Sequence, residues 1–255
     1  MLLNSISEIY ISILVGAVMN IAMLIAGGKG VRTNQDIPKQ FLNINDKPII
    51  VYTLQAFQNH PDINAILVVC IDGWQEMLWA YANQFNITKL KWIVPGGATG
   101  QESIHNGIVE LSKECSDDDM ILIHDGIRPN VSQEIISNCI AECRLNGSAI
   151  TVIPCAEAML LRDESGNSSK EIIPRESLAR TQTPQAFKLG KLKWAHEQAA
   201  ERGINNSVAT CTLMVELGEK VSFCPGSEKN IKITTAEDLE IFKALLLAKK
   251  DDWIK

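Results

Sequence analysis

The sequence predicts an α/β fold: a mostly parallel sheet covered by helices on both faces, with an extended arm. Three observations carry this. Short runs that are apolar at all but one position, among them residues 63–70 and 120–124, alternate with segments whose apolar residues recur at helical spacing. A strand apolar on both faces belongs inside a sheet with both sides covered, and strands separated by helices run parallel. The first such run, residues 21–25, leads straight into the glycine-rich stretch Ala26-Gly27-Gly28-Lys29-Gly30-Val31-Arg32. Glycines there let backbone N–H groups close around an anion, and Lys29, Arg32 and Lys39 can add full charges to those partial ones. Taken alone, the stretch reads equally well as a phosphate-cradling loop or as a plain strand-to-helix turn. It is not a P-loop, since no Gly-Lys-Ser/Thr closes it, and it lacks the third glycine of the dinucleotide fingerprint.

Each later element has its own pattern. Pro48 stands in the first turn of a helix over 48–57, a position where its missing N–H costs nothing. Residues 63–70 are a buried strand, 74–85 an amphipathic helix, 90–94 a strand, 101–111 a helix and 120–124 an apolar strand. Ser132 caps a helix that Asn146-Gly147 terminates before a strand at 149–154. Between 156 and 180 the alternation breaks, and Asp163-Glu164-Ser165-Gly166-Asn167 marks a hairpin-like excursion. Beyond it lie helices at 189–202 and 207–217, short strands at 220–224 and 231–234, and a closing helix at 236–248. With no internal repeat, the expectation is one domain over 19–255 with an arm inserted at 156–180.

Bulk properties exclude some functions. A net charge of -6 and a pI near 5.3 argue against a duplex-DNA or RNA binder, which needs a basic face to displace counterions. Seven cysteines with no Cys-x-x-Cys, and Cys139 and Cys143 four apart on one helix, read as reduced thiols of a cytoplasmic protein rather than a zinc site. The apolar stretch 9–26 is just long enough to span a bilayer, but no Lys or Arg precedes Lys29, and residues 21–25 are needed as the first core strand. Met19 could also serve as a start. Residues 1–18 are therefore read as a dispensable extension, with no membrane association expected; a tether through residues 9–18 is the alternative.

In open parallel sheets ligands sit beyond the carboxyl ends of the strands. Five polar clusters there could carry chemistry: the opening loop with Ile37-Pro38-Lys39-Gln40-Phe41, Pro95-Gly96-Gly97, His124-Asp125-Gly126-Ile127-Arg128-Pro129, Thr181-Gln182-Thr183-Pro184-Gln185, and Asn230-Ile231-Lys232-Ile233-Thr234. Gly96 and Gly97 leave room for a base to lie flat, or simply make a turn. Asp125 can hold a divalent cation or a ribose hydroxyl, or it can cap a helix or pair with Arg128. His124 is either a structural hydrogen-bonder or a catalyst. His60, His105 and His196 read as surface or helix residues.

In this order and at these separations, the five clusters resemble the cytidylyltransferases that make CDP-methylerythritol or CDP-ribitol. The resemblance covers residues 21–247. It implies a Rossmann-like body, a homodimer whose arms reach into each other's sites, and transfer of CMP from CTP to a polyol phosphate with Mg²⁺ and release of pyrophosphate. Arg32 and Lys39 match the catalytic cations. Ala26, Gly27, Gly28, Lys29 and Gly30 match the triphosphate loop, Gly96, Gly97 and Ser103 the surroundings of cytosine, and Asp125 the contact to metal and ribose. Thr183 and Lys232 match contacts to the acceptor phosphate, as does Arg175, acting from the neighbouring subunit's arm.

Three positions depart from the family pattern: Gly100 replaces a usual Arg, Glu157-Ala158 a usual Asp-Thr, and Val208-Ala209-Thr210 a usual Thr-Asp-Asp/Glu. The triphosphate half is kept while the half facing the alcohol is altered. An acceptor other than the common one is one reading of this, and a non-catalytic nucleotide-binding relative is another.

Overall fold

In the computed structural model, which describes residues 18–28 and 37–248, strand β1 (Asn20–Ala26) runs inside a seven-stranded sheet. Its side chains alternate between two separate cores, as a strand covered on both faces requires. Ala22, Leu24 and Ala26 face one way, toward α1 (Ile49–Gln58), α2 (Gln75–Gln84) and α4 (Gln133–Asn146). Ile21 and Met23 face the other, toward α3 (Gly100–Leu111), α5 (Leu189–Glu201) and α6 (Thr210–Glu216). The remaining long strands are β4 (Ala65–Cys70), β5 (Leu90–Pro95), β6 (Met120–Asp125), β7 (Ser148–Pro154) and β10 (Ala179–Lys188), with β11 (Phe223–Pro225) at one edge. Their order is β11-β7-β10-β6-β1-β4-β5. A two-residue pair, β2 (Asn43–Ile44) and β3 (Lys47–Pro48), precedes α1. α7 (Ala236–Ala248) closes a third, small core through the buried Phe242, beside Ile44, Ile49, Ile127 and Ile233.

The local signals work as expected at α4. Ser132 Oγ accepts from Ile135 N–H at 3.2 Å, and Gly147 closes the helix at φ 79°, where a side chain would be strained. Pro48 sits one residue earlier than expected, as the N-cap of α1.

The structure corrects several expectations. Strand β10 was not anticipated, because its Thr181-to-Gln185 stretch is polar and contains Pro184; it lies between β6 and β7 and runs antiparallel to both, with an irregularity in its β7 pairing between Thr181 and Gln185. The sheet is therefore mixed. The helix expected at 207–217 begins at Thr210, because Ser207 Oγ and the Ala209 backbone are bonded instead to Thr212 Oγ. The strand expected at 220–224 is Phe223–Pro225, and residues 231–234 form no strand: Ile233 N–H donates to the Ile127 carbonyl at 2.9 Å, and Thr234 is bonded to Asp238. Of the histidines read as surface or helix residues, His196 lies in α5 and is buried, and His60 is buried outside any helix. His60 Nε2 meets Ser137 Oγ at 2.9 Å while its Nδ1 accepts from Asp62 N–H.

The excursion is a hairpin of β8 (Met159–Leu161) and β9 (Glu171–Ile173) outside the main sheet, exposing Met159, Leu160, Leu161 and Ile172. No helix among the described residues is long and apolar enough to cross a membrane; residues 9–17 of the stretch weighed as a tether lie outside those described.

Removing the α4 cap with Ser132→Ala is expected to destabilise the protein by about 1 kcal/mol, read as a lowered midpoint in urea unfolding with an unchanged slope.

Candidate active site

β1 and β6 are neighbours in register, Ile25 beside Asp125, so the loops that follow them open on the same edge of the sheet. They border a cleft of about 820 Å³. Ala26, Gly27, Gly28, Lys39, Gly97, Ser103, Asp125, Thr183 and Lys232 all line it. Gly96 lies directly behind Gly27. A Cβ on Gly27 would fall 3.1 Å from Gly96 Cα, and one on Gly96 would fall 3.0 Å from Gly27 Cα, so the two loops approach as closely as they do only because both residues are glycine. Lys29, Gly30 and Arg32 lie outside the described residues. Arg175 stands apart from the cleft, in a short turn at Arg175–Ser177, bonded to the Ala156 carbonyl at 2.8 Å and paired with Glu176 at 3.2 Å.

The walls are held by hydrogen bonds that the sequence did not announce. Gln40, 1% exposed, donates from Nε2 to the carbonyls of Ala26 at 2.7 Å and Gly28 at 3.2 Å, clamping the first glycine turn from behind. On the β5 side, Gly97 N–H donates to Ser103 Oγ at 3.0 Å. Ala98 N–H reaches Glu102 Oε2 and Glu102 N–H reaches Thr99 Oγ, so the turn is locked to the first turn of α3. Ser103 keeps its own hydroxyl proton for another acceptor.

Asp125 gathers charge from two directions. Arg128 Nε meets Oδ2 at 3.0 Å and Lys232 Nζ meets Oδ1 at 3.0 Å. Burial pushes the carboxyl up, but the two cations outweigh it and hold Asp125 below the usual carboxylate range. Arg128 Nη1 also donates to the Asn230 carbonyl at 2.8 Å, and Asn230 Nδ2 donates to the Thr183 carbonyl at 2.8 Å. Three separate segments thus meet at one carboxylate.

His124 is structural in this arrangement. Its Nε2 faces the Arg128 carbonyl at 3.1 Å, and a carbonyl can only accept, so Nε2 carries the proton. Nδ1 is then the acceptor for Thr183 O–H at 3.1 Å, and Thr183 Oγ in turn accepts from Asp125 N–H at 3.0 Å. Burial pushes the imidazole down to about 4, so it is neutral near pH 7, as this chain of bonds requires.

Among the described residues no group of three or more His, Cys, Asp or Glu side chains could hold a metal ion unaided. A divalent cation bound at Asp125 would complete its coordination with phosphate oxygens and water, which is how Mg²⁺ is commonly held beside nucleotides.

A sequence profile for 2-C-methyl-D-erythritol 4-phosphate cytidylyltransferase (IspD) matches residues 20–248. The chain belongs to the IspD family. A ribitol-5-phosphate cytidylyltransferase of Lacticaseibacillus paracasei is 43% identical over 90% of this chain and 98% of its own length. A 2-C-methyl-D-erythritol 4-phosphate cytidylyltransferase of Clostridium botulinum is 37% identical over 89% of this chain and 97% of its own. Among solved IspD structures, that of Francisella tularensis superimposes with a TM-score of 0.73 at 26% identity, over 88% of this chain and 99% of that one.

Within this IspD chain, sequence reasoning passed over Gln40, Asn230 and Gln182 as site-forming residues, while the Asp125–Arg128 pair it named is present. A signal existed for each of the three, since all sit inside the singled-out clusters, and a buried amide must find partners. Gln182, for instance, donates to the Ser227 carbonyl at 2.9 Å.

Lys232→Met is expected to raise the Asp125 carboxyl pKa. Because the folded-state value is depressed, the pair's contribution is present above the unfolded value of about 3.9 and is lost as pH falls through the folded one. The stability gap between wild type and Lys232→Met should therefore narrow on acidification; urea titrations at several pH values measure it.

Proposed function

We propose that this chain transfers CMP from CTP to a polyol phosphate, and that ribitol 5-phosphate is the acceptor. The assembly of all five motifs around one cleft supports the cytidylyl transfer. The identity of the acceptor rests on one observation: relatives named for ribitol 5-phosphate match at 43% and 40%, above the 37% of the methylerythritol-phosphate relative. Of the departures from the family pattern, Gly100 and Ala209 line the cleft and Ala158 lies at the base of the arm, which supports an altered contact to the acceptor.

In this reading an acceptor phosphate oxygen attacks the α-phosphorus of CTP. A new P–O bond forms, the bond to the bridging oxygen of the β-phosphate breaks, and pyrophosphate leaves with the electron pair. No proton needs to move at the reacting oxygen, so catalysis is chiefly charge neutralisation and positioning. Lys39 at the cleft wall supplies a cation to the triphosphate, and Arg32, outside the described residues, is assigned the second. The backbone of Gly27 and Gly28 cradles it, and Gly97 and Ser103 face the base. Thr183 has committed its hydroxyl proton to His124, so it can only accept from the acceptor. Lys232, ion-paired with Asp125, swings its charge toward the acceptor phosphate. Asp125 would hold Mg²⁺ together with phosphate oxygens, and the metal would withdraw charge from the α-phosphate.

Arg175 bonds to its own arm and stands apart from its own cleft, which supports its acting in a partner's site across a homodimer. The apolar exposed face of β8 and β9 supports the same assembly.

Pyrophosphate release measured with CTP should be rapid with ribitol 5-phosphate and much slower with 2-C-methyl-D-erythritol 4-phosphate; the reverse order would overturn the choice of acceptor. Lys39→Ala should lose about 10²- to 10³-fold in kcat, with CTP affinity by calorimetry changed far less. For the arm, inactive Arg175→Ala and inactive Lys39→Ala proteins, unfolded together and refolded at equal ratio, should regain about a quarter of wild-type activity, since half the dimers are mixed and each mixed dimer has one intact site. No recovery would place Arg175 outside the partner's site.

A further inference from the structure

One buried side chain ties together the two stretches assigned to the triphosphate. Gln40 Nε2 has two hydrogens, and both are spent on carbonyls: that of Ala26 at 2.7 Å, fourteen residues away, and that of Gly28 at 3.2 Å, twelve away. In sequence Lys29, Gly30 and Arg32 lie between Gly28 and Gln40. The two bonds therefore join the point where that stretch leaves β1 to the point where the chain returns.

The amide acts on peptide planes. Those that begin at Ala26 and at Gly28 flank Gly27, and each is fixed by its carbonyl on Nε2. The Ala26 carbonyl also takes Ile71 N–H at 3.1 Å, so the sheet helps to hold the first plane. The second lies past the end of β1, and Gln40 holds it there. Glycine backbone has the widest conformational freedom, so a donor that fixes both planes removes freedom that a ligand would otherwise have to remove on binding.

The same residue sets the neighbouring cation. Lys39, Gln40 and Phe41 form one short 3₁₀ turn. Gln40 anchors it to the glycine turn, while the buried Phe41 anchors it to the body, its ring stacked on Trp74 with centroids 4.5 Å apart. Successive side chains of such a turn diverge by about 120°, so with two directions taken by anchors the third is left to Lys39. Lys39 lines the cleft.

We propose that Gln40 is a positioning residue for the transfer: it holds the glycine turn in the shape that receives the triphosphate and fixes Lys39 relative to that turn. This rests on the cytidylyl-transfer reading above. Gln40 acts on CTP affinity through the backbone of Gly27 and Gly28, and on rate through Lys39.

Gln40→Met keeps the length of the side chain and removes both donors; Gln40→Glu keeps the shape, and its carboxylate cannot donate. Either variant suffices once far-UV circular dichroism shows it folded. In steady-state pyrophosphate release with CTP and the faster of the two acceptors, each is expected to raise KM for CTP about tenfold and to lower kcat about tenfold, with KM for the acceptor within about twofold, each loss being close to that of one neutral hydrogen bond. Repeated on the residual turnover of Lys39→Ala, the same substitution should still raise KM for CTP but change kcat less than about twofold, because the lysine it places is gone. The proposal is overturned if KM for CTP and kcat stay within about twofold of wild type, or if kcat falls by the same factor with and without Lys39, as a general loosening of the fold would produce. Failure of the underlying reading looks different: wild-type protein would then release no pyrophosphate from CTP with either acceptor.

Discussion

The convergence of three chain segments on the Asp125 carboxylate is the interaction on which the rest of the cleft depends. β6 delivers Asp125 itself, the loop after it returns Arg128, and residue 232 arrives from more than a hundred positions away. The Asp125 side chain is 20% exposed and that of Arg128 12%, so the pair sits where water screens it only in part. A carboxylate so placed must be matched by nearby cations, and here both of its oxygens are. Their attraction outweighs the cost of burial, leaving an ionised group at the mouth of an acidic protein's cleft.

The mixed character of the sheet follows from the same node. A parallel strand would present its carboxyl end at the cleft, as β1, β5 and β6 do. β10 runs the other way, so its amino half brings Thr183 beside Asp125 while Ala186 and Phe187 near its far end enter the cores. Arg180, Thr181 and Lys188 face solvent, but Gln182 and Gln185 are buried and bonded, and Asn230 ties the strand to Arg128. The sheet's order thus places a hydrogen-bonded polar strand against an apolar one, with His124 as the joint.

The glycine turns are clamped by Gln40, Ser103 and Glu102, so their backbone is already in place before any ligand arrives. Across the cleft Lys232 is engaged by Asp125. Such preorganisation lowers the ordering cost of binding.

By itself the sequence determined the alternation of elements, the two-sided burial of β1, β4 and β6, the caps of α4 and the five clusters, because these are written in local periodicity and in residues whose backbone preferences are strong. Most of the residues matched to family roles lie around one cleft: those that end or follow β1, β5 and β6 do so because these parallel strands open on one edge, whereas Thr183 lies within β10 and Ser103 in α3. What only the tertiary structure decided was the direction of β10, the failure of residues 231–234 to pair as a strand, and the partners of Asp125, Gln40 and Asn230. Those depend on contacts between segments far apart in the chain, which no local pattern encodes. The stretch from Thr181 to Gln185 shows the point most plainly. Its polarity reads as a loop until Ser227, Asn230 and Cys211, remote in sequence, bond the side-chain amides of Gln182 and Gln185 and leave them buried within β10.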